Sequence, residues 1–211
     1  ELESWTRFLS ERRRSEWFAA RIAAKRGIAA WIRDVRGLAA HPRDIIIDKD
    51  ESKAPYPTLR GALAHYKGPL PHLSITHSGG IAVVHVGTRT DMRIGVDLEA
   101  VEARDSSFAN EYFTEAELKL GASLGRDQQL TVLWTIKESV SKALGLGLHV
   151  RLAEIVIESL DLSQEPWLAG VRLDNEASEA LTGLRGNSMD VRLFNLDTFI
   201  LAEATFVAAA E

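Results

Sequence analysis

The chain contains no cysteine. That excludes a disulfide, a zinc site built on thiolates and a cysteine nucleophile. It also has no run approaching the roughly 20 apolar residues that a membrane helix needs, and no signal-peptide pattern, so no membrane association is expected and a cytoplasmic location is. Positive charge is not in excess: 25 Lys and Arg stand against 30 Asp and Glu, a net charge of -5, which argues against a general nucleic-acid binder. A P-loop and H-E-x-x-H are both absent, so no Walker-type nucleotide site or metalloprotease signature is evident. What is present is ordinary for a soluble globular protein. With 211 residues, 45% of them hydrophobic and 26% charged, the chain can bury a core as one large domain or two small ones.

Organisation along the chain is repetitive. "LSERRRSEWFAARIAAKRGIAAWI" reads as an amphipathic helix with Ser10 as N-cap, and Trp17, Phe18, Ile22, Ile28 and Trp31 recur at helical spacing. Its basic side chains, among them Arg7, Arg14, Arg21 and Lys25, form a solvated face unless a polyanion binds nearby. "RDIIID" follows as a short strand, "KDESKAPYPTLRGALAHYKGPLP" as loop, "HLSITHSGGIAVVHV" as a hairpin and "TRTDMRIGVDLEA" as a further strand. A helical region from about Phe108 to Leu144 comes next, with Thr114 and Glu117 spaced as a capping box. The strand "EIVIE", a loop and the hairpin "DVRLFNLDTFILAEATF" close the chain. Helix, strand, loop and hairpin thus occur twice. The expected fold is α+β: two similar halves, a pseudo-dimer divided as 1–94 and 95–211, packed as one unit with the site between them.

Two acidic elements stand out. In "GVDLE", alternation along a strand sends Ile94, Val96 and Leu98 to one face and Gly95, Asp97 and Glu99 to the other. Two neighbouring carboxylates repel unless water, a basic side chain or a cation neutralises them. Downstream, "LWTIKESVSKALG" carries an apolar stripe of Leu130, Leu133, Ile136, Val140 and Leu144 at helical period. Glu138 and Lys142 share the opposite face, one turn apart, which as a surface ion pair is worth only a few tenths of a kcal/mol. Trp134, one turn earlier, suggests that this face is sheltered. Glu138 brought beside Asp97 and Glu99 makes an all-oxygen donor set of the kind Mg²⁺ prefers, usually shared with substrate phosphates.

"GVDLE" followed by "WTIKESVSK" resembles the paired signature of the 4′-phosphopantetheinyl transferases, G-(I/V)-D-(I/L)-E and W-x-x-K-E-(A/S)-x-x-K. "YFTEAEL" resembles the family's F-(S/T)-x-x-E segment, and "SITHSGG" its S-x-S-H-S-G hairpin. The length and the two similar halves resemble the two-lobed, surfactin-synthetase-activating type. The resemblance implies transfer of the phosphopantetheine arm of coenzyme A to a serine of an apo acyl carrier protein, with release of adenosine 3′,5′-bisphosphate. It implies Mg²⁺ on Asp97, Glu99 and Glu138, charge neutralisation by Lys142, and Glu138 as the best candidate for taking the serine proton. Coenzyme A contacts are implied for Arg14, Arg21, Lys25, Thr76, His77 and Lys142. The Gly-Lys-Pro of relatives is replaced by "SKAP" at Lys53, with a separate "YKGP" at Lys67, so either lysine can supply that phosphate contact.

"RRRSEWFAARIAAKRG" resembles the opening of transferase domains fused to the C-terminal end of iterative polyketide or polyunsaturated fatty acid synthases. With Glu1 in place of Met, an excised synthase domain is one expectation and a trimmed free enzyme the other, active as a monomer in either case. Two rival classes remain at this point: a non-catalytic carrier-protein docking module of the same fold, and another Mg²⁺-dependent enzyme acting on a nucleotide diphosphate. The remaining histidines, from His41 to His149, show no metal-ligand spacing, and Trp5, Trp17, Trp31 and Trp167 read as core or interface anchors.

Overall fold

The computed structural model describes residues 10–145, 152–174 and 188–207; Trp5, Arg7 and His149 lie outside them. The fold is α+β. Its first element, α1 (Glu11–Arg36), starts directly after Ser10, whose backbone is extended and whose side chain makes no capping bond. The buried face of α1 is Ala20, Ala24, Ile28 and Ile32, a step of four throughout. Phe18 and Ile22, expected in the core from their spacing, are exposed. Small residues are what bring the helix close to its neighbours: a Cβ added at Gly27 would lie 2.8 Å from Val86 Cγ2. Around this face gather Ile45, Ile47, Leu63 and Leu73.

Two small antiparallel sheets complete the first half. β1 (Ile45–Lys49) pairs with β2 (Pro55–Leu59), and β3 (Leu73–Ser78) pairs with β4 (Ile81–Val86) across the expected Ser-Gly-Gly turn. β2 falls in the segment read as loop. Its prolines, 55 and 57, are two apart, so both missing donors fall on one edge of the strand, and a two-stranded sheet has an edge that needs none. At the hairpin tip Gly79 has φ +59°, and a Cβ there would meet the Phe199 ring at 2.5 Å, so the tip lies directly against the second half.

The second half is built on one five-stranded antiparallel sheet in the order β5-β9-β8-β7-β6. The strands are β5 (Met92–Ala100), β6 (Ile155–Asp161), β7 (Trp167–Leu173), β8 (Ser188–Asn195) and β9 (Phe199–Val207). β5 runs across residues 94 and 95, so the strand that carries "GVDLE" joins the halves. The helical region expected from 108 to 144, with a helix starting at Thr114, is broken differently. α2 (Ser106–Tyr112) and α3 (Arg126–Leu144) are separate, with one 3₁₀ turn at Glu117–Lys119 between them. The Thr114–Glu117 capping box exists, with Glu117 N–H donating to Thr114 Oγ1 at 3.2 Å and Thr114 N–H to Glu117 Oε2 at 2.8 Å, but it caps that short turn. The first half runs helix, 3₁₀ turn, two strands, a second 3₁₀ turn at Gly61–Leu63 and two strands, whereas α3 is followed by one 3₁₀ turn and then four strands. Only the second half merges its strands into a single sheet.

α3 lies on the face of β5 and β9 that presents Gly95, Asp97, Ala202 and Ala204, which pair as Gly95–Ala204 and Asp97–Ala202. The approach is close enough that a Cβ on Gly95 would sit 1.8 Å from the Ser139 carbonyl oxygen. That contact is why glycine begins the "GVDLE" block.

Candidate active-site cleft at the junction of the halves

The expected apolar stripe of α3 is fully buried: Leu130, Leu133, Ile136, Val140 and Leu144 are at most 1% exposed. Burial extends nearly all round the helix. Between Gln129 and Leu144 every residue is buried except Trp134, Glu138 and Lys142, which are half-buried. These three are spaced by four, so they form one line along the helix. This line faces β5 across a cleft.

Asp97 is only 3% exposed. Its Oδ1 accepts from Lys142 Nζ at 2.6 Å and from the Thr76 hydroxyl at 3.1 Å. Its Oδ2 is buried and has no hydrogen-bond partner. Lys142 also donates to the Val96 carbonyl at 3.2 Å, so the ion pair of Lys142 crosses to β5 instead of running back to Glu138. Glu99 accepts from the Trp134 indole N–H at 3.2 Å and meets Arg104 at 3.4 Å. Arg104 in turn lies over the Phe108 ring, 4.6 Å from its centroid, and Trp134 packs on Phe108 and Tyr112. An aromatic wall from α2 thereby shields one side of the carboxylates.

The carboxylates sense one another. Burial, and then the charge of Asp97, push the Glu99 carboxyl above its usual range, against the downward pull of Trp134, Arg104 and Lys142. Burial and Asp97 likewise push Glu138 up, opposed by Lys142. Among the described residues no three such groups are closed into a preformed metal cage. The donor chemistry nevertheless fits a hard cation: oxygen ligands only, mutual repulsion that a cation relieves, and one buried carboxylate oxygen with no partner.

Beneath the cleft, Lys137 and Glu117 form a fully buried ion pair at 2.9 Å, each side chain 1% exposed. Glu117 also accepts from Ile157 N–H at 3.0 Å, and Lys137 donates to the Leu152 carbonyl at 3.2 Å. This pair ties α3 to the turn before it and to β6, and so sets the height of Glu138, the next residue along. Sequence reading took Glu117 only as a cap and passed over Lys137, although both lie inside quoted motif segments.

The basic residues expected to hold phosphates belong to the first half. Arg14, Arg21 and Lys25 share one face of α1, with the Arg21 guanidinium 5.1 Å from the centroid of the Trp17 ring. Lys53 sits in the β1–β2 turn at φ +68°. Burial, together with the positive charges of Arg21 and Lys53, lowers the pKa of Lys49, so these three form a basic cluster. Lys49 was missed because a lysine closing a strand gives no signal of its own. Lys67 is exposed on its loop. His77, next to last in β3, has Nδ1 3.4 Å from Glu16 Oε2. Glu16 is buried, accepts from Gly80 N–H at 2.9 Å and from Arg12 Nε at 3.2 Å, and shares a surface depression with Arg13, His77 and Gly79. Glu16 too was missed, being counted only against the charge of its helix.

Residues 93–182 match the family model described as the 4′-phosphopantetheinyl transferase superfamily. A curated relative, the 4′-phosphopantetheinyl transferase gsp of Aneurinibacillus migulanus, is 30% identical over 90 residues, 41% of this chain and 37% of that protein. The chain therefore aligns with little more than a third of that relative's length. Among solved structures, holo-[acyl-carrier-protein] synthase of Thermotoga maritima shares 21% identity at a TM-score of 0.42, over 55% of this chain and 63% of that one. The ACPS–CoA complex of Chronobacterium ammoniagenes shares 18% at 0.43, over 56% and 98%. The matched stretch runs from the start of β5 past β7 and holds all four cleft side chains, so this part of the chain is similar to the 4′-phosphopantetheinyl transferase superfamily.

Proposed function

We propose that the chain transfers the 4′-phosphopantetheine group of coenzyme A to a serine hydroxyl of an apo acyl carrier protein and releases adenosine 3′,5′-bisphosphate. The observation that carries this reading is that Asp97, Glu99, Glu138 and Lys142 converge on one half-buried cleft inside the superfamily segment. In this reading residues 1–94 hold the coenzyme A phosphates, through Arg14, Arg21, Lys25, Lys53 and His77. Residues 95–211 supply the carboxylates and Lys142. One chain holds both sets, which supports a monomeric active form. Among the described residues no helix is long and apolar enough to cross a membrane.

The chemistry asks for positioning and charge neutralisation and needs no protein nucleophile. The serine oxygen attacks the phosphorus that bears the pantetheine arm, and the bond from that phosphorus to the bridging oxygen of the diphosphate breaks. Asp97, Glu99 and Glu138 are the residues that would hold Mg²⁺, which supplies neutralisation of the diphosphate charge when bound. Glu138, its pKa raised by burial and by Asp97, is better matched to accept the serine proton than an ordinary surface glutamate. Lys142 spends two of its three N–H donors on Asp97 and Val96, which leaves one for the phosphoryl oxygens.

The experiment is incubation of the chain with Mg²⁺ and coenzyme A, with and without a panel of apo carrier proteins, read by mass spectrometry. A carrier that gains one phosphopantetheine supports the proposal. Breakdown of coenzyme A without a carrier supports a hydrolase acting on nucleotide diphosphates. No change in either overturns the transferase reading in favour of a docking module.

A further inference from the structure

One edge of β5 is satisfied in an unusual way. Its far edge pairs with β9 through the backbone, but the Val96 and Leu98 N–H groups on the near edge donate to side chains. Ser74 Oγ accepts from Val96 at 3.0 Å, and Thr76 Oγ1 accepts from Leu98 at 3.2 Å. Both hydroxyls belong to β3, and both residues are at most 5% exposed. The two differ in one respect: only the Thr76 hydroxyl goes on to a carboxylate, donating to Asp97 Oδ1 at 3.1 Å.

A hydroxyl has a single proton. With the Leu98 N–H taking one of its lone pairs, the Thr76 proton is directed at Asp97. Lys142 donates to the same Oδ1, so one carboxylate oxygen receives two donors while the other, which is buried, receives none. An unpaired buried carboxylate oxygen is costly and calls for a cause. The geometry points to Thr76 as a positioning residue: its hydroxyl holds Asp97 by Oδ1 so that Oδ2 is the oxygen left for a divalent cation, and it ties the hairpin that bears His77 to the strand that bears the carboxylates. Thr76 thus acts through Asp97, a role distinct from the coenzyme A contact that the family resemblance implies for it. His77 is the next residue on β3, so the hairpin placement that seats His77 on Glu16 also seats Asp97. This inference rests on the transferase reading for the nature of the cation site.

The test uses the full chain and Mn²⁺ in place of Mg²⁺, with free Mn²⁺ followed by its electron paramagnetic resonance signal, with and without coenzyme A. Affinity for coenzyme A is measured separately by calorimetry in EDTA. Removing a residue that orients a metal ligand typically weakens the metal by about 10- to 100-fold. Thr76→Val is expected to lose Mn²⁺ affinity in that range while coenzyme A affinity in EDTA stays at the wild-type value. Thr76→Ser, which keeps the hydroxyl, should restore Mn²⁺ binding, and Ser74→Ala should leave it unchanged. Should Thr76→Val not fold, Thr76→Ala takes its place. The inference is overturned if the hydroxyl-free variant binds Mn²⁺ as tightly as wild type, if Ser74→Ala loses as much, if the loss falls on coenzyme A in EDTA, or if the wild-type chain binds no Mn²⁺. A wild-type chain that binds Mn²⁺ but modifies no carrier overturns the transferase reading and leaves the Thr76–Asp97 comparison standing.

Discussion

Lys142 Nζ lies 2.6 Å from Asp97 Oδ1, a residue 45 positions earlier in the chain, and not on the glutamate one turn behind it. The cross-element pair separates the roles of Lys142 and Glu138, which a surface ion pair would make equivalent. Lys142→Met removes a donor from Asp97 and the one left for the phosphoryl group, and is expected to cut single-turnover transfer on the order of 10²-fold with coenzyme A affinity unchanged. Glu138→Gln keeps shape and loses charge, so it should both slow transfer and raise the Mg²⁺ midpoint. Equal small losses, with the Mg²⁺ midpoint unmoved in Glu138→Gln, would make both ordinary surface residues.

At Gly95 the backbones of α3 and β5 leave no room for a side chain. Gly95→Ala puts a Cβ 1.8 Å from backbone oxygen, and neither neighbouring backbone can rotate away as a side chain would. Overpacking of this kind costs about 1–3 kcal/mol, and here the upper part of that range or more is expected in urea unfolding. The helix must also lift off the strand, so Lys142 loses Asp97 and transfer falls further than stability alone explains. A variant as stable and active as wild type would contradict the packing described.

The buried Glu117–Lys137 pair gives a pH signature. Burial alone would raise the Glu117 carboxyl, but the N–H groups of Ile157 and Thr114 and the Lys137 ammonium outweigh it and hold its pKa below the ordinary 4.5. The unfolded chain therefore binds a proton at this site before the folded one does. The stabilisation is fully present above about pH 4.5 and is lost as pH falls through the lower, folded value. Glu117→Gln leaves Lys137 buried without its partner charge, and should cost about 3–5 kcal/mol at pH 7. The gap between variant and wild type in urea unfolding should narrow below pH 4.5. A gap that is the same at pH 3 and pH 7 would assign the loss to packing.

In the proposed function the basic side chains of the first half meet phosphates remote from the reacting bond, so their loss should act on binding. His77→Ala, and neutralisation of Arg21, Lys49 or Lys53, are expected to raise KM for coenzyme A by about an order of magnitude with kcat nearly unchanged. For His77→Ala the effect should shrink with 3′-dephospho-coenzyme A if the histidine meets the 3′-phosphate. Saturation curves for both substrates that coincide with wild type in all four variants would move the phosphate subsite elsewhere.

Much of the cleft could be read from local pattern. The alternation in "GVDLE" sends Asp97 and Glu99 to the α3 face, and the stripe from Leu130 to Leu144 turns Glu138 and Lys142 away from the core. The Ser-Gly-Gly turn is a hairpin because its glycines accept positive φ. What failed depended on contacts distant in sequence. The exposure of Phe18 and Ile22 follows from how closely the alanine face of α1 packs, which periodicity alone does not reveal. The break between α2 and α3 is enforced by Glu117 turning inward to Lys137 and Ile157. β2 was obscured because its prolines punctuate a segment whose outer edge makes no demand for donors. The hydroxyl bonds of Ser74 and Thr76 are tertiary, and no spacing rule points from them to Val96 and Leu98.

The most direct measurement is single-turnover transfer of phosphopantetheine to an apo carrier protein across a Mg²⁺ titration, comparing the wild-type chain with Asp97→Ala. Asp97 is the meeting point of Lys142, Thr76 and the unpartnered oxygen. The transferase reading requires wild-type transfer that depends on Mg²⁺ and near abolition in the folded variant at every Mg²⁺ concentration. A wild-type rate in Asp97→Ala at limiting Mg²⁺ would contradict it.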